Sequence, residues 1–289
     1  MFDRLSRELS ASELQSVLHE VMRVRAEARK ASDLVTQYAR DPFCRPSAVD
    51  PRELRAVEGH WLAVAAERGF SPIELSPVAP LGSSSAIALT SQARILSALR
   101  ATEVASDPTN VLALECAQRM RAQSETLHLA TCQRVVRAQP VPNVPGFAQH
   151  FGIGVLASGG LEEKDHAFTV RTLVLHVQTM LGVLDRLEAH GYAFGQRRLD
   201  VLATDARARL GDRVAAEVAS GASRKPLTHE YYSGGLRYML WVTAPDGAEV
   251  PLVDGGTFDW LVRLTSNRRA VYVASGGGSQ LVSRFRATG

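Results

Sequence analysis

The chain has 289 residues, 45% hydrophobic and 22% charged, with a formal charge of +3, which places it among globular proteins long enough for one large or two small domains. Its basic excess is spread out, the densest runs being pairs such as Arg197-Arg198 and Arg268-Arg269; a nucleic-acid-wrapping protein gathers its cations on one element, so DNA is not an expected partner and RNA binding has only this mild excess behind it. The three cysteines, Cys44, Cys116 and Cys132, form no CxxC pair and no even set, which excludes a disulfide framework and a zinc ribbon and points to a reducing cytoplasm.

In chain order, the first 29 residues mix acids and bases without an apolar core, unlike a secretory signal, and no later apolar run approaches the ~20 residues that span a bilayer. Ser10 followed by Glu13 is a capping box, and Leu14, Val17, Leu18, Val21 and Val24 recur at helical spacing, which predicts an amphipathic N-terminal helix. The stretch Asp41-Pro42-Phe43-Cys44-Arg45-Pro46 breaks it, because proline lacks a backbone donor and restricts the residue before it. Asp50 as N-cap, Pro51 at the first position and Glu53 open a second helix with Leu54, Val57, Trp61, Leu62 and Ala65 on its apolar face, closed by Gly69. Ile73, Leu75 and Val78 among prolines, then a Ser-rich turn over 82–85, read as a strand end and a loop.

Asp107-Pro108 repeats the cap-plus-proline start of a helix that Val111, Leu112, Leu114 and Cys116 carry to about Arg121. Segments 127–139 and 149–158 flank a proline-glycine turn and pair as an antiparallel hairpin. A long helix over 166–190, ended by Gly191, has a core-facing stripe of Leu173, Val177, Met180, Leu181 and Leu184. A strand over 199–204 and a short helix over 205–218 follow, and strands 238–242 and 249–253 form a hairpin across Pro245-Asp246-Gly247. The chain ends with Gly255-Gly256 opening a helix, a strand over 270–274, and Gly276-Gly277-Gly278 turning into a last helix.

Four of these segments, in this order, resemble the catalytic core of the class II aminoacyl-tRNA synthetases, nearest the histidyl branch. The helix and proline-ended strand over 54–80, with Gly69-Phe70 and a strand over 73–77, resemble motif 1, which builds the dimer interface. Asp107-Pro108-Thr109 looks like the histidyl segment that touches the amino acid. The hairpin Gln133 to Gln139, turn, Gly146 to Phe151 resembles motif 2. Glu230-Tyr231-Tyr232-Ser233-Gly234, Asp254-Gly255-Gly256-Thr257-Phe258-Asp259 and the segment 274–281 resemble, in order, the histidyl Asp-Tyr-Tyr-Thr-Gly, its Gly-Gly-Arg-Tyr-Asp loop and motif 3.

The resemblance spans roughly 50–285 and implies an α+β fold, an antiparallel six- or seven-stranded sheet flanked by helices. Residues 1–45 form an N-terminal helical extension and 46–289 the core, with no anticodon-binding domain. It implies ATP with magnesium as cofactor, and no zinc, haem or nicotinamide. Arg137 would grip the α-phosphate and substrate carboxylate, since a bidentate guanidinium suits both and a lysine is not equivalent. Gln139, Gly276, Gly277, Gly278 and Gln280 would line the nucleotide. An aromatic on the returning strand would stack on adenine, with either Phe147 and Gln149 or His150 and Phe151 in register. Asp107, Thr109, Gln149, Tyr231, Tyr232, Gly234, Asp254, Gly255 and Gly256 would border the substrate.

Several handles that the resemblance leads one to expect are altered. The acid after the motif 2 arginine is Gln139; the motif 3 arginine is Gln280 or Ser279, according to register; the Arg of the Gly-Gly-Arg-Tyr loop is Thr257; and 226–229 lacks the arginine before the paired tyrosines. Activation of a carboxylate depends on fixed positive charge around the α-phosphate, so these losses imply a histidyl-like paralogue that does not charge tRNA and holds a small ligand in a regulatory or scaffolding role. The alternative is an ATP-dependent ligase passing an activated acid to a carrier protein, an amine or an RNA. Either is expected to be a homodimer, with a partner or carrier protein and no membrane.

Plainer readings stand beside these. Arg137 can be an exposed strand arginine, Asp107 a helix cap, and Gly276–Gly278 a tight turn needing positive φ. Tyr231 and Tyr232 alternate across a strand, one facing the pocket. His150 and His229 are structural, since the eight histidines show no metal-ligand spacing.

Overall fold

The computed structural model describes residues 1–122, 126–141, 148–218 and 222–287. Ser10 and Glu13 form the expected capping box on α1 (Ala11–Glu27), but the N-terminal helix is two, with a break over 28–30 before α2 (Ala31–Arg40). No glycine or proline marks that break; Lys30 is extended and makes no side-chain cap, and Asp33 supplies the acid in the first turn of α2. Neither helix has a buried residue.

Asp50 caps α3 (Pro51–Glu67) through Arg52 N, and Gly69 leaves it at φ 87°. The strand expected over 73–77 is displaced. Pairing is confined to β1 (Ser71–Pro72), extended by one bond from Ile73 N to Ala130 O, and the chain re-enters order at β2 (Val78–Pro80). Pro72 and Pro77 have no N–H to continue a ladder. With β3 (Ser97–Ala98) and β4 (Thr102–Val104), β2 makes a small separate sheet.

Next come α4 (Pro108–Ala122), the expected hairpin of β5 (Leu127–Val136) and β6 (His150–Leu161), α5 (Ala167–Glu188), β7 (Arg197–Ala203), α6 (Ala208–Val218), β8 (Ser223–Pro226), β9 (Leu236–Thr243), β10 (Glu249–Phe258), α7 (Trp260–Thr265) and β11 (Ala270–Gly277). Among the described residues the main sheet has eight strands in the order β1-β5-β6-β11-β10-β9-β7-β8. Its six central strands are antiparallel, as expected, and the edge strands β1 and β8 add in parallel.

Alternate side chains along the strands divide the interior into two cores. One holds Trp61, Val177, Met180 and Leu184 from α3 and α5 against Val273, Leu240 and Val201. The other holds Leu112 and Cys116 from α4 and Trp260 from α7 against Tyr272, Ala274 and Val155. The helical stretch Lys164–Glu188 is long and apolar enough by composition to cross a membrane, contrary to the reading that no such run exists; its apolar face is spent on the first core. A polar chain crosses beneath α5: Ser158 Oγ lies 2.7 Å from His128 Nδ1 and 2.8 Å from His176 Nε2, and His176 Nδ1 lies 2.9 Å from Ser275 Oγ.

Candidate functional site

On the α4 side of the sheet, a cleft of about 660 Å³ opens over β6, β11, β10 and β9. One end is held by Arg137, just past β5, whose backbone N–H donates to Gln149 O at 2.8 Å. Its guanidinium donates from Nε to Ser106 O (3.0 Å) and from Nη2 to Asp107 Oδ2 (3.4 Å), and lies over the Phe151 ring at 5.1 Å. Arg137 is therefore no solvated strand arginine. Asp107 serves two ends: its Oδ1 accepts from Thr109 N (3.0 Å) and Thr109 Oγ1 (2.9 Å) at the start of α4, while Oδ2 takes Arg137.

Beneath this corner lies a buried carboxylate that the sequence reading did not single out. Glu103 accepts from Gly82 N, Ser84 N and Ser84 Oγ at 2.7–2.8 Å and from Gln92 Nε2 at 3.0 Å. Burial opposes its charge, but these hydrogen bonds outweigh that cost and hold its pKa below the ordinary value. Ser84 Oγ in turn meets Ser106 Oγ at 3.0 Å and accepts from Asn110 Nδ2 at 3.3 Å, which fixes the segment that grips Arg137.

The other end is built by the turn before β9. Tyr231 and Tyr232 lie in that turn instead of alternating along a strand, and both border the cleft. The turn closes with Tyr232 N on His229 O and Gly235 N on Tyr232 O, so both rings turn toward Phe258, at 5.4 and 5.3 Å. Burial, then the carboxylate of Asp107 for Tyr231 and of Asp254 for Tyr232, pushes both phenols well above their ordinary range, so both stay protonated. Arg237, absent from the sequence reading, donates from Nε and Nη2 to Asp254 Oδ1 (3.0 Å) and Oδ2 (2.6 Å) and sits 4.8 Å over Tyr232. Register makes the pair: Arg237 stands opposite Gly256, two residues from Asp254 on the same face.

The glycines act through space, not turn geometry. Gly255 and Gly256 lie inside β10 and open no helix; a Cβ there would fall 2.2 Å from Ser275 Oγ or 2.3 Å from Leu236 O. Gly276 and Gly277 are likewise in β11, and none of Gly276–Gly278 has positive φ; a Cβ on Gly277 would meet Trp61 at 2.7 Å and Leu252 O at 2.8 Å.

Among the expected site residues, Asp107, Thr109, Arg137, Gln139, Phe151, Tyr231, Tyr232, Asp254, Gly255, Gly276, Gly277, Gly278 and Gln280 border the cleft. Gln149, Gly234 and Gly256 do not, and Phe147 lies outside the described residues. Gly234 packs on Thr257, to whose O its N–H donates at 3.0 Å. His150 turns away, with Nδ1 2.8 Å from Arg134 Nη1 and Nε2 2.7 Å from Arg45 O, whereas His229 borders the cleft. Of the two candidates for the motif 3 position, Ser279 points to Glu58 (3.2 Å) while Gln280 borders the cleft, 2% exposed, its Oε1 without a partner among the described residues. Arg94, also unanticipated, borders the cleft and has no acidic partner among the described residues. Among the described residues no three His, Cys, Asp or Glu side chains gather as a metal site.

No protein-family model and no curated protein matches this sequence, but solved structures do. A Bacillus halodurans protein described as an ATP phosphoribosyltransferase regulatory subunit/histidyl-tRNA synthetase superposes with a TM-score of 0.64 at 13% identity, covering 86% of this chain and 83% of its own. A histidine–tRNA ligase subunit from Alicyclobacillus acidocaldarius gives 0.62 at 14%, covering 85% and 96%. The apo histidyl-tRNA synthetase of S. aureus gives 0.61 at 10%, covering 84% and 68%. The fold is that of the class II aminoacyl-tRNA synthetases and their histidyl-like relatives.

Proposed function

We propose that this chain is a histidyl-synthetase-like protein that does not charge tRNA and instead holds a small anionic ligand in the cleft, with a regulatory or scaffolding output. One observation carries the reading: the cleft keeps an anchored Arg137, yet uncharged Gln139 and Gln280 border it where ionic handles are expected and Thr257 is turned to Leu236 N. Exposed Val78, Leu81 and Leu89 on and beside the small sheet support a homodimer built on the motif-1-like face. One of the basic pairs gives tRNA little purchase: Arg197 is matched by Asp185 and Glu188, and Arg198 by Asp200 and Glu249.

The test is pyrophosphate exchange into ATP over a panel of amino acids, beside equilibrium binding of phosphate and nucleotides, for the wild type and Arg137→Ala. The expected result is no exchange, with anion binding weakened at least about tenfold by the substitution, the scale of a charge-assisted bond. Exchange that Arg137→Ala abolishes would overturn this reading and favour the second one, a carboxylate-activating ligase, for which the retained guanidinium speaks.

A further inference from the structure

The N-terminal helices border no part of the cleft, yet α1 carries a pattern that its own chain leaves unused. Leu14, Val17, Val21, Val24 and Ala28 are spaced alternately three and four apart, which is the a/d spacing of a coiled-coil seam over two heptads. Val17, Val21 and Val24 are 41%, 46% and 52% exposed. The face of α1 that meets the body is the opposite one. Gln15, at b, accepts from Arg100 N through its Oε1 at 3.0 Å, and His19, at f, is half-buried; b and f lie across the helix from a and d, so the seam is turned outward.

The same attachment sets α1 beside the small sheet. Arg100 adjoins Ala101, whose carbonyl accepts from Leu81 N at 2.9 Å, and Leu81 and Val78 are exposed. The seam therefore stands next to the face assigned above to the homodimer.

An apolar stripe alone would accept many partners; the charges along its edges select one. The g positions are Glu13, Glu20 and Glu27, and Arg25 stands at e. In a parallel pair of α1 helices each g residue faces the e residue five further along the other helix, which sets Glu20 against Arg25 twice over by symmetry. In an antiparallel pair g faces g, and three glutamates would meet three glutamates. Within one chain Arg25 has no acidic partner among the described residues. Glu20 meets Arg23 at 2.5 Å, and a carboxylate so engaged keeps lone pairs for a second guanidinium.

We infer that α1 is an interface with a second copy of this chain, a parallel coiled coil about 25 Å long in which Glu20 of each helix meets Arg25 of the other. Two heptads make a short seam, so the pair reinforces the adjoining contact at Val78 and Leu81 instead of replacing it. The inference extends the proposed homodimer and does not depend on what the cleft holds.

The experiment is sedimentation equilibrium of the full-length protein as wild type, Val21→Asp, Arg25→Glu, and an equal mixture of Arg25→Glu with Glu20→Arg. The three side chains are exposed, so helix content by circular dichroism is expected to stay the same. Val21→Asp weakens self-association at least about tenfold, because a carboxylate resists desolvation at the seam. At low salt Arg25→Glu weakens it about fivefold, and the mixture restores it, since every glutamate then faces an arginine. With the exposed Cys44 replaced by serine, Val24→Cys oxidises to a covalent dimer, because d positions oppose one another in a parallel pair, whereas an antiparallel pair sets Val24 near Leu14. Association of wild-type strength in Val21→Asp overturns the inference and leaves a homodimer on the small-sheet face alone. Association that the mixture does not restore, or that gives no Val24→Cys cross-link, overturns the parallel pair. A wild type that stays monomeric overturns both the inference and the homodimer and leaves the seam to another protein.

Discussion

His176 is fully buried between two serine hydroxyls, and its titration is a stability term. Desolvation, with a smaller contribution from His128, drops its pKa from 6.5 to about 3. The folded protein then refuses a proton that the unfolded chain accepts, so the stabilisation is complete above pH 6.5 and is lost as pH falls from 6.5 toward 3. Urea unfolding is expected to show stability decreasing between pH 7 and pH 5, by up to about 1.4 kcal/mol per pH unit for one proton. His60 and His128, lowered chiefly by burial, add in the same direction. His176→Leu lowers the midpoint at pH 7 yet flattens this dependence; an undiminished slope in that variant would refute the assignment. At this scale the sequence revealed the residues whose type and local spacing carry meaning: Asp107 before a proline, Arg137 at the end of a hairpin strand, the paired tyrosines. It did not reveal Glu103, Arg94 or Arg237, whose surroundings are set by strand register and loop packing between residues far apart in the chain.

Among the elements, the contact of β11 with α3 is sensitive to side-chain volume. Gly277→Ala places a methyl carbon 2.7 Å from the Trp61 ring and 2.8 Å from Leu252 O, so thermal denaturation is expected to show a loss of about 1–3 kcal/mol. Gly276→Ala, whose nearest neighbours lie 3.4 Å away, is the control and changes little. The helices and the two hairpins were legible because capping residues, prolines and periodicity act locally. The glycine pairs were misread as turns for an equally physical reason. A glycine that yields room to a ring on another strand looks, in one dimension, like a glycine that bends the chain. The break between α1 and α2 left no mark in residue type at all.

For the molecule as a whole, residues 1–40 contribute nothing buried, although α1 and α2 carry Val17, Leu18, Val21, Met22, Leu34, Val35 and Tyr38 on their exposed surface. A chain trimmed to 46–289 is therefore expected to unfold within roughly 0.5 kcal/mol of the full-length protein when both are monomeric, as measured by denaturant titration; a larger loss would show that the extension belongs to the core. The global architecture was legible through the order of its motifs, and its parallel outer strands were not, since nothing local distinguishes their direction.

Those outer strands have a further consequence. Both rims of the eight-stranded sheet are very short and end in a proline, Pro72 in β1 and Pro226 in β8, the latter preceded by Lys225. Rims this short, each ended by a residue without a backbone N–H, offer a poor template to an incoming strand. Short rims of this kind disfavour lateral growth of the main sheet into fibrils or strand-exchanged chains, and association between copies is expected to use other surfaces.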